Sequence, residues 1–285
     1  MGRTVYVNGE FVDEADAKVS IFDRGYVFGD GVYEVVPVIG GKMIDKAPFL
    51  ERLAYSLDQL SIDWPCSTDD YVAFHEELIA RNNIEEGVVY SQVTRGVAER
   101  DFTFPKGVKP AVMAFTQQKN LIDNPMAATG VKVATVEDIR WKNRNIKSIA
   151  LLGQVMAKQQ AAEKGAYEAW MVEDDKVTEG SSSSAYIVKD GKVITRPLSR
   201  EILPGIRRKV LMRLAAEHQI QIEERPFSVE EALDADEAFL SSASVFVLPI
   251  IEIDGKQVAD GSPGPIARRM RDIYLDAARA EAGLR

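Results

Sequence analysis

Six short constellations in this sequence hold residue types that do chemistry. RWKNRNIKS places Arg140, Lys142, Arg144 and Lys147 within eight residues, just before an apolar stretch. If that stretch is a helix from about residue 148, Lys147 stands at its N-terminus, where the macrodipole disfavours an ammonium by roughly 0.3–1 kcal/mol. With partial burial and cationic neighbours, that would make a nucleophilic amine; the alternative is a solvated basic loop. VTEGSSSSA sets Glu179 and Gly180 ahead of four serines. A carboxylate at a strand end beside hydroxyls and N–H groups could hold a cationic heterocycle, or the run could be a polar turn. The Lys-Ser/Thr element of a P-loop is missing. In ILPGIRRKV, Pro204 and Gly205 open a helix pattern whose first N–H groups could accept a phosphate, with Arg207 adding charge. An ordinary Pro-initiated helix is the alternative there.

The other three are less pointed. FLSSASVF ends a strand pattern in Ser242 and Ser244, which offer hydroxyl donors. RGYVFGDGVYEVV brackets two aromatics with Gly25, Gly29 and Gly31, suggesting close backbone approach. It is not a dinucleotide fingerprint, because the third glycine is absent and the run continues as a strand. TRGVAERDF carries Arg95 and Arg100 around Gly96 in a loop. Arginine suits bidentate carboxylate capture, although exposed loop arginines are common.

Composition narrows the chemistry. The net charge of −9, from 35 Lys+Arg against 44 Asp+Glu, argues against phosphate-driven nucleic-acid binding. One cysteine, Cys66, and two histidines, His75 and His218, leave no intramolecular disulfide and no Cys/His zinc cage. A Ser-His-Asp triad would have to recruit a histidine from an amphipathic helical stretch. What remains is chemistry carried by lysine, arginine, carboxylates, hydroxyls or a bound cofactor. No run approaches the roughly 18 apolar residues of a membrane span, and MGRTVYVNGEF shows no signal-peptide pattern, so a cytoplasmic location is expected.

These residues must be positioned by hairpins and helices. Asn8-Gly9, Gly40-Gly41, Asp190-Gly191 and Asp254-Gly255 each sit between β-branched or apolar runs and predict two-residue β-hairpins. PFLERLAYSLDQL puts Leu50, Leu53, Leu57 and Leu60 on one helical face, from which Arg52 falls away. Residues 69–82 predict a second amphipathic helix. A third, over 148–164, carries Leu152, Val155 and Met156 and stops at Gly165. A fourth begins at Pro204 and buries Ile206, Val210, Leu211 and Leu214; a last one runs from about Pro265. Hairpins mixed with helices indicate mixed, largely antiparallel α/β domains. At 285 residues two domains are expected. The polar segment 117–126, closed by Pro125, suggests a boundary, with domains over 1–118 and 128–285 and a linker over 119–127.

Taken in order, DRGYVFGDGVYEVV, LERL, TRGVAER, the lysine of RNIKS, TEGSSS, LPGIRR and FLSSAS resemble the fold-type IV (class IV) pyridoxal-phosphate aminotransferases, most of all their D-amino acid branch. The resemblance implies an N-terminal α/β sandwich, a C-terminal pseudo-barrel that binds pyridoxal 5′-phosphate (PLP), and a homodimer. It implies ping-pong transfer of the amino group of a D-amino acid to a 2-oxo acid. Lys147 matches the Schiff-base lysine that also shuttles the proton. Glu179 matches the partner of the pyridinium nitrogen, Leu203 the residue on the ring face, and Arg52 the phosphate arginine. The N–H groups of Ile206 and Arg207, with Ser242 and Ala243, match the rest of the phosphate site. Tyr33, Arg100 and Arg140 match residues around the substrate. The chain departs from the pattern at Phe102, where D-amino acid aminotransferases commonly have histidine, at Phe49, which replaces the histidine of the family's HxxRL pattern just before LERL, and at Arg207 and Ala243, where threonine is frequent. The Phe102 departure brings in (R)-selective amine transamination, with branched-chain L-amino acid transamination and aminodeoxychorismate lyase as further activities of the same fold. A non-catalytic module would be expected to lack Lys147 or Glu179, and both are present.

Overall fold

The computed structural model describes residues 2–284. It divides into two compact units. The first takes the chain up to Asn120, with Ile146–Ala150 and the chain from Ala278 onward; the second takes Leu121–Asn145 and Leu151–Ala277.

In the first unit, β1 (Thr4–Val7), β2 (Glu10–Asp13), β3 (Gly31–Ile39), β4 (Lys42–Met43), β5 (Glu86–Thr94) and β6 (Ala111–Gln118) form one sheet. Its order is β2-β1-β6-β5-β3-β4 and every pairing is antiparallel. Helix α1 (Arg24–Phe28) precedes β3. Helix α2 (Lys46–Gln59) packs on β3, and α3 (Thr68–Arg81) packs on β1 and β6. The leucine spacing predicts α2 but misplaces its inner face, which is Phe49, Arg52, Leu53, Ser56 and Leu57. Leu50 and Leu60 are only half-buried. Leu53 and Leu57 are common to both faces, and burying Phe49 in place of Leu50 turns the inner face by about half a residue, roughly 50°, which brings Arg52 inward.

Helix α3 begins with Ser67, whose Oγ accepts the Asp70 N–H at 3.1 Å, and has Asp69 and Asp70 in its first turn and Arg81 in its last. It buries His75 completely among Phe49, Tyr71 and Phe74. His75 Nδ1–H donates to the Tyr71 carbonyl at 2.7 Å, while Nε2 has no hydrogen-bond partner. Burial pushes its pKa down from 6.5 to about 4. The unfolded chain therefore binds the proton first as pH falls. The stability contributed is complete above about pH 6.5 and is lost towards about pH 4, about 3 kcal/mol in all. Urea unfolding midpoints should fall across that window. His75→Phe should remove most of the slope; an unchanged slope would place the acid sensitivity elsewhere.

The second unit runs through α4 (Pro125–Thr129), β7 (Val131–Glu137), α5 (Leu152–Glu163), β8 (Glu168–Glu173), β9 (Lys176–Gly180), β10 (Ser184–Lys189) and β11 (Lys192–Thr195). It continues through α6 (Ile206–Glu217), β12 (Ile222–Glu224), α7 (Val229–Leu233), β13 (Glu237–Ser242), β14 (Phe246–Ile253), β15 (Lys256–Gln257) and α8 (Pro265–Ala282), whose end belongs to the first unit. The sheet order is β12-β11-β10-β13-β14-β7-β8-β9, with β15 on β14. The pairs β11–β12, β14–β7 and β7–β8 are parallel, so this sheet is mixed. Trp170, Phe227, Leu240 and Leu248 belong to its main core.

All four glycine-marked hairpins form, joining β1–β2, β3–β4, β10–β11 and β14–β15. Both turn residues of each have positive φ, from 48° at Asn8 to 102° at Gly9, as primed turns require. A fifth, Asp174-Asp175 between β8 and β9, uses the same backbone at φ 49° and 59° without a glycine. The helix expected over 148–164 starts later, at Leu152, and turns the other way round. Ala157 and Ala161 face β7 and β8, while Leu152, Val155 and Met156 are 72%, 59% and 43% exposed. Small residues let the helix lie close to the sheet, which leaves its large apolar residues outside. No helix among the described residues is long and apolar enough to cross a membrane.

Candidate active site

In the first unit Lys147 lies on an extended strip, not at a helix start. Its carbonyl accepts the Tyr33 N–H at 3.0 Å, the Ile149 N–H donates to the Gly31 carbonyl at 3.1 Å, and Ser148 bridges to Val32. The helix-dipole argument for Lys147 is therefore overturned: α5 begins five residues downstream. What positions the amine instead is β3. Pairing with β3 makes alternate residues face alternate sides. Ile146 and Ser148 are buried, Lys147 is half-buried, and its Nζ stands 4.3 Å from the centroid of the Tyr33 ring. Tyr33 in turn stacks on Tyr90 at 5.4 Å.

Helix α2 backs the same strip. Ser56 Oγ accepts the Lys147 N–H at 3.2 Å. One helical turn earlier, Arg52 donates to both oxygens of Glu34, Nε at 2.8 Å and Nη2 at 2.7 Å. Arg52 is 9% exposed and Glu34 fully buried. Periodicity alone leaves Arg52 in solvent; a bidentate carboxylate partner is what makes its burial tolerable.

Arg95 and Arg100, adjacent in the sequence reading, separate in the structure. Arg95 is buried, donating to Asp30 at 2.8 and 3.0 Å and to the Leu60 and Ser61 carbonyls at 2.7 and 2.9 Å. Arg24 joins it on Asp30 and donates to the Asp101 carbonyl at 2.6 Å. This pair of arginines ties down the loop that carries Arg100. Arg100 is exposed and lies over the rings of Phe28 and Phe102 at 5.6 and 5.3 Å rather than on Tyr33. Phe102 is 77% exposed.

The second unit builds its own cluster around Glu179, at the end of β9. Arg140 Nη1 donates to Glu179 at 2.6 Å, and the Leu203 N–H reaches both carboxylate oxygens at 3.2 Å. The rest of the Arg140 guanidinium grips Asp138, Nε at 2.9 Å and Nη2 at 2.7 Å. Thr178 Oγ1 donates to Asp138 at 2.7 Å and Arg144 sits 3.2 Å away. Burial pushes the Glu179 carboxyl up, while Arg140 and the Leu203 N–H pull against it. Burial alone would lower the Arg140 guanidinium, but Asp138 and Glu179 outweigh it and hold it above its ordinary value. Burial also works against the Asp138 charge, but Arg140, Thr178 and Arg144 hold its pKa below the usual range. Of the basic run only Lys142, 82% exposed and paired with Glu173, is the solvated loop residue that composition suggests. Arg140, placed near the substrate by the resemblance, has its guanidinium on Asp138 and Glu179.

The serine run is also committed. The hydroxyls of Ser181, Ser182 and Ser183 all donate to Glu168, Ser182 at 2.8 Å and Ser183 at 3.1 Å. Helix α6 opens on Gly205 with no side-chain cap, leaving a partial positive charge at its start. The Arg207 side chain lies in the first turn of the same helix. It is buried, with Nη1 donating to the Tyr274 hydroxyl. Leu203, Ser242 and Ala243 are half-buried, the last two at the β13–β14 hairpin. His75 lies in the aromatic core and His218 ends α6, so neither serves a triad.

Sequence reasoning missed Glu34, Ser56, Asp138 and Glu168. Asp138 was findable, standing two residues before Arg140, and Glu34 is the one charge in an otherwise apolar strand run. Nothing local singles out Ser56 or Glu168.

The family model for amino-transferase class IV matches residues 31–253. The D-alanine aminotransferase of Staphylococcus aureus (strain MSSA476) is 43% identical over 273 residues, 95% of this chain and 96% of that protein. The D-alanine aminotransferase of Staphylococcus haemolyticus is 42% identical over the same shares. Among solved structures, the Escherichia coli branched-chain amino acid aminotransferase has a TM-score of 0.91 at 22% identity, covering 99% of this chain and 96% of that one. The fold is thus that of the fold-type IV aminotransferases, and with the matched residues spanning β3 to β14, lysine strip and carboxylate cluster included, the chain belongs to the class IV aminotransferases.

Proposed function

We propose that the protein is a PLP-dependent transaminase that moves the amino group of a D-amino acid such as D-alanine to 2-oxoglutarate or pyruvate. Family membership supports transamination, and identity with the staphylococcal D-alanine aminotransferases supports the donor. The observation that carries the chemistry is the buried Glu179 carboxylate, fixed by Arg140 and the Leu203 N–H.

The donor chemistry fits PLP. The uncapped start of α6 suits a phosphate. A side chain at Gly205 would put its Cβ 2.7 Å from Ser184 Oγ, so the loop entering α6 stays bare. When bound, PLP supplies the electron-withdrawing ring that lets a proton leave the amino-acid Cα. In the second unit Glu179 would accept from the pyridine nitrogen and keep it protonated, Leu203 would face the ring, and the Ile206 and Arg207 N–H groups with Ser242 and Ala243 would hold the phosphate. Arg140 acts through Glu179, as a positioning residue. In the first unit Lys147 Nζ would hold the cofactor and move the Cα proton, Arg52 would contribute to phosphate binding, and Tyr33 and Arg100 would receive the substrate carboxylate.

The assembly proposed is a homodimer, and the outward Leu152, Val155 and Met156 of α5 supply an apolar face for it. The compartment proposed is the cytoplasm, in keeping with a single, unpaired cysteine. A second reading, (R)-selective amine transamination, is favoured by the apolar, exposed Phe102 beside Arg100.

The test is kcat/KM with 2-oxoglutarate for D-alanine, (R)-1-phenylethylamine and L-leucine. D-Alanine should lead both by about 100-fold or more, over (R)-1-phenylethylamine because that amine lacks the carboxylate and over L-leucine because of its opposite configuration and larger side chain. (R)-1-Phenylethylamine in the lead would establish the second reading, and L-leucine in the lead would reject both.

A further inference from the structure

The hairpin joining β13 to β14 closes on a residue in an unusual backbone state. Phe246, paired with Ser242, has φ of 60°. Loops normally give that region to glycine or asparagine, and a bulky residue there is an outlier held by its surroundings. What holds it is visible. Its fully buried ring lies 4.8 Å from the ring of Tyr274 on α8. The Tyr274 hydroxyl accepts from Arg207, in the first turn of α6. Three residues before Tyr274, on the same helix, Arg271 is buried as well. Its Nη1 donates to the carbonyls on either side of Phe246, Val245 at 2.8 Å and Val247 at 2.9 Å. Its Nη2 donates to Leu121 at 2.6 Å and Ile122 at 2.9 Å, where the second unit begins.

We propose that Arg271 is a positioning residue for the phosphate site: through Phe246 and Tyr274 it locks the Ser242–Ser244 hairpin to the first turn of α6 before any anion arrives. The inference rests on the reading that the cofactor phosphate is held by those two elements. Its physical content is preorganisation. A hairpin already clamped on both sides loses no conformational freedom when the phosphate binds, so the affinity gained is specific to the phosphate. The planar guanidinium fork is what lets one side chain reach carbonyls of two segments; a lysine ammonium has no such fixed geometry.

Binding of PLP and of pyridoxal, which lacks the phosphate, to the cofactor-free full-length protein can be followed by quenching of tryptophan fluorescence. The parent protein should prefer PLP by about 100-fold or more. Arg271→Lys and Tyr274→Phe should each cut that preference about tenfold, entirely through weaker PLP binding, with pyridoxal affinity unchanged within about twofold. Tyr274→Phe removes one hydroxyl and keeps the ring, so it reads the coupling even if Arg271→Lys does not fold. An equal loss for both ligands, or an undiminished preference, overturns the inference. A parent protein with no preference for the phosphate overturns the reading of the phosphate site itself.

Discussion

Lys147→Ala is expected to lower kcat for D-alanine by about 10³-fold or more, because one amine both holds the cofactor and moves the proton. The fold should survive. The strip that carries Lys147 is held by main-chain bonds to Tyr33 and Gly31 and by Ser56 Oγ on its amide, none of which uses the side chain. The truncation removes the Nζ contact with the Tyr33 ring and the half-buried stem of the side chain. Single-turnover absorbance after adding D-alanine would separate lost chemistry from lost binding, and a melting temperature close to the parent's would exclude unfolding. Full turnover in this variant would remove Lys147 from the mechanism.

Glu179→Gln is the second large effect, with an expected loss of about 100-fold in kcat, the size associated with removing one preorganised charge-stabilising group. The amide keeps the shape and can still accept from the Leu203 N–H, but it no longer carries the charge that Arg140 holds in place. Arg140 would remain on Asp138, so the cluster should persist. The pH profile gives an independent reading. Since burial pushes the Glu179 carboxyl up, its charge is lost at a higher pH than for an exposed carboxylate as acid is added. The acid limb of kcat should therefore be present in the parent protein and missing in Glu179→Gln. The same limb in both would assign it to another group.

The hairpins were readable because Asn-Gly, Asp-Gly and Gly-Gly announce the backbone state their turns need. Asp174-Asp175 adopts that state without announcing it, since aspartate tolerates the left-handed region but does not demand it. Helices were readable as helices, but not always by their inner face. In α5 the alanines face the sheet and the large residues face outward, a reversal that a hydrophobic pattern cannot distinguish from an ordinary amphipathic helix. Lys147 illustrates a second limit. Its neighbours look like a helix start, yet a partner strand far back in the sequence, β3, captures them in extended form. Local propensity loses to long-range pairing there.

Buried charges were the least legible. Arg52, Arg95, Arg140 and Arg144 look like surface residues until their acceptors are known; Asp138 stands beside Arg140 in sequence, but Glu34, Asp30 and Glu173 come from distant positions of the chain. Periodicity has no means of scoring a pair. The motif order, by contrast, pointed to Lys147 and Glu179 directly, since their neighbours form a recognisable pattern even where each residue alone is ambiguous.

The most direct test of the central claim is the visible absorption spectrum of the PLP-loaded protein before and after adding D-alanine alone, with no acceptor present. Loss of the long-wavelength cofactor band and rise of the pyridoxamine phosphate band, with L-alanine leaving the spectrum unchanged, is the predicted result. A spectrum untouched by D-alanine but converted by L-alanine would contradict it.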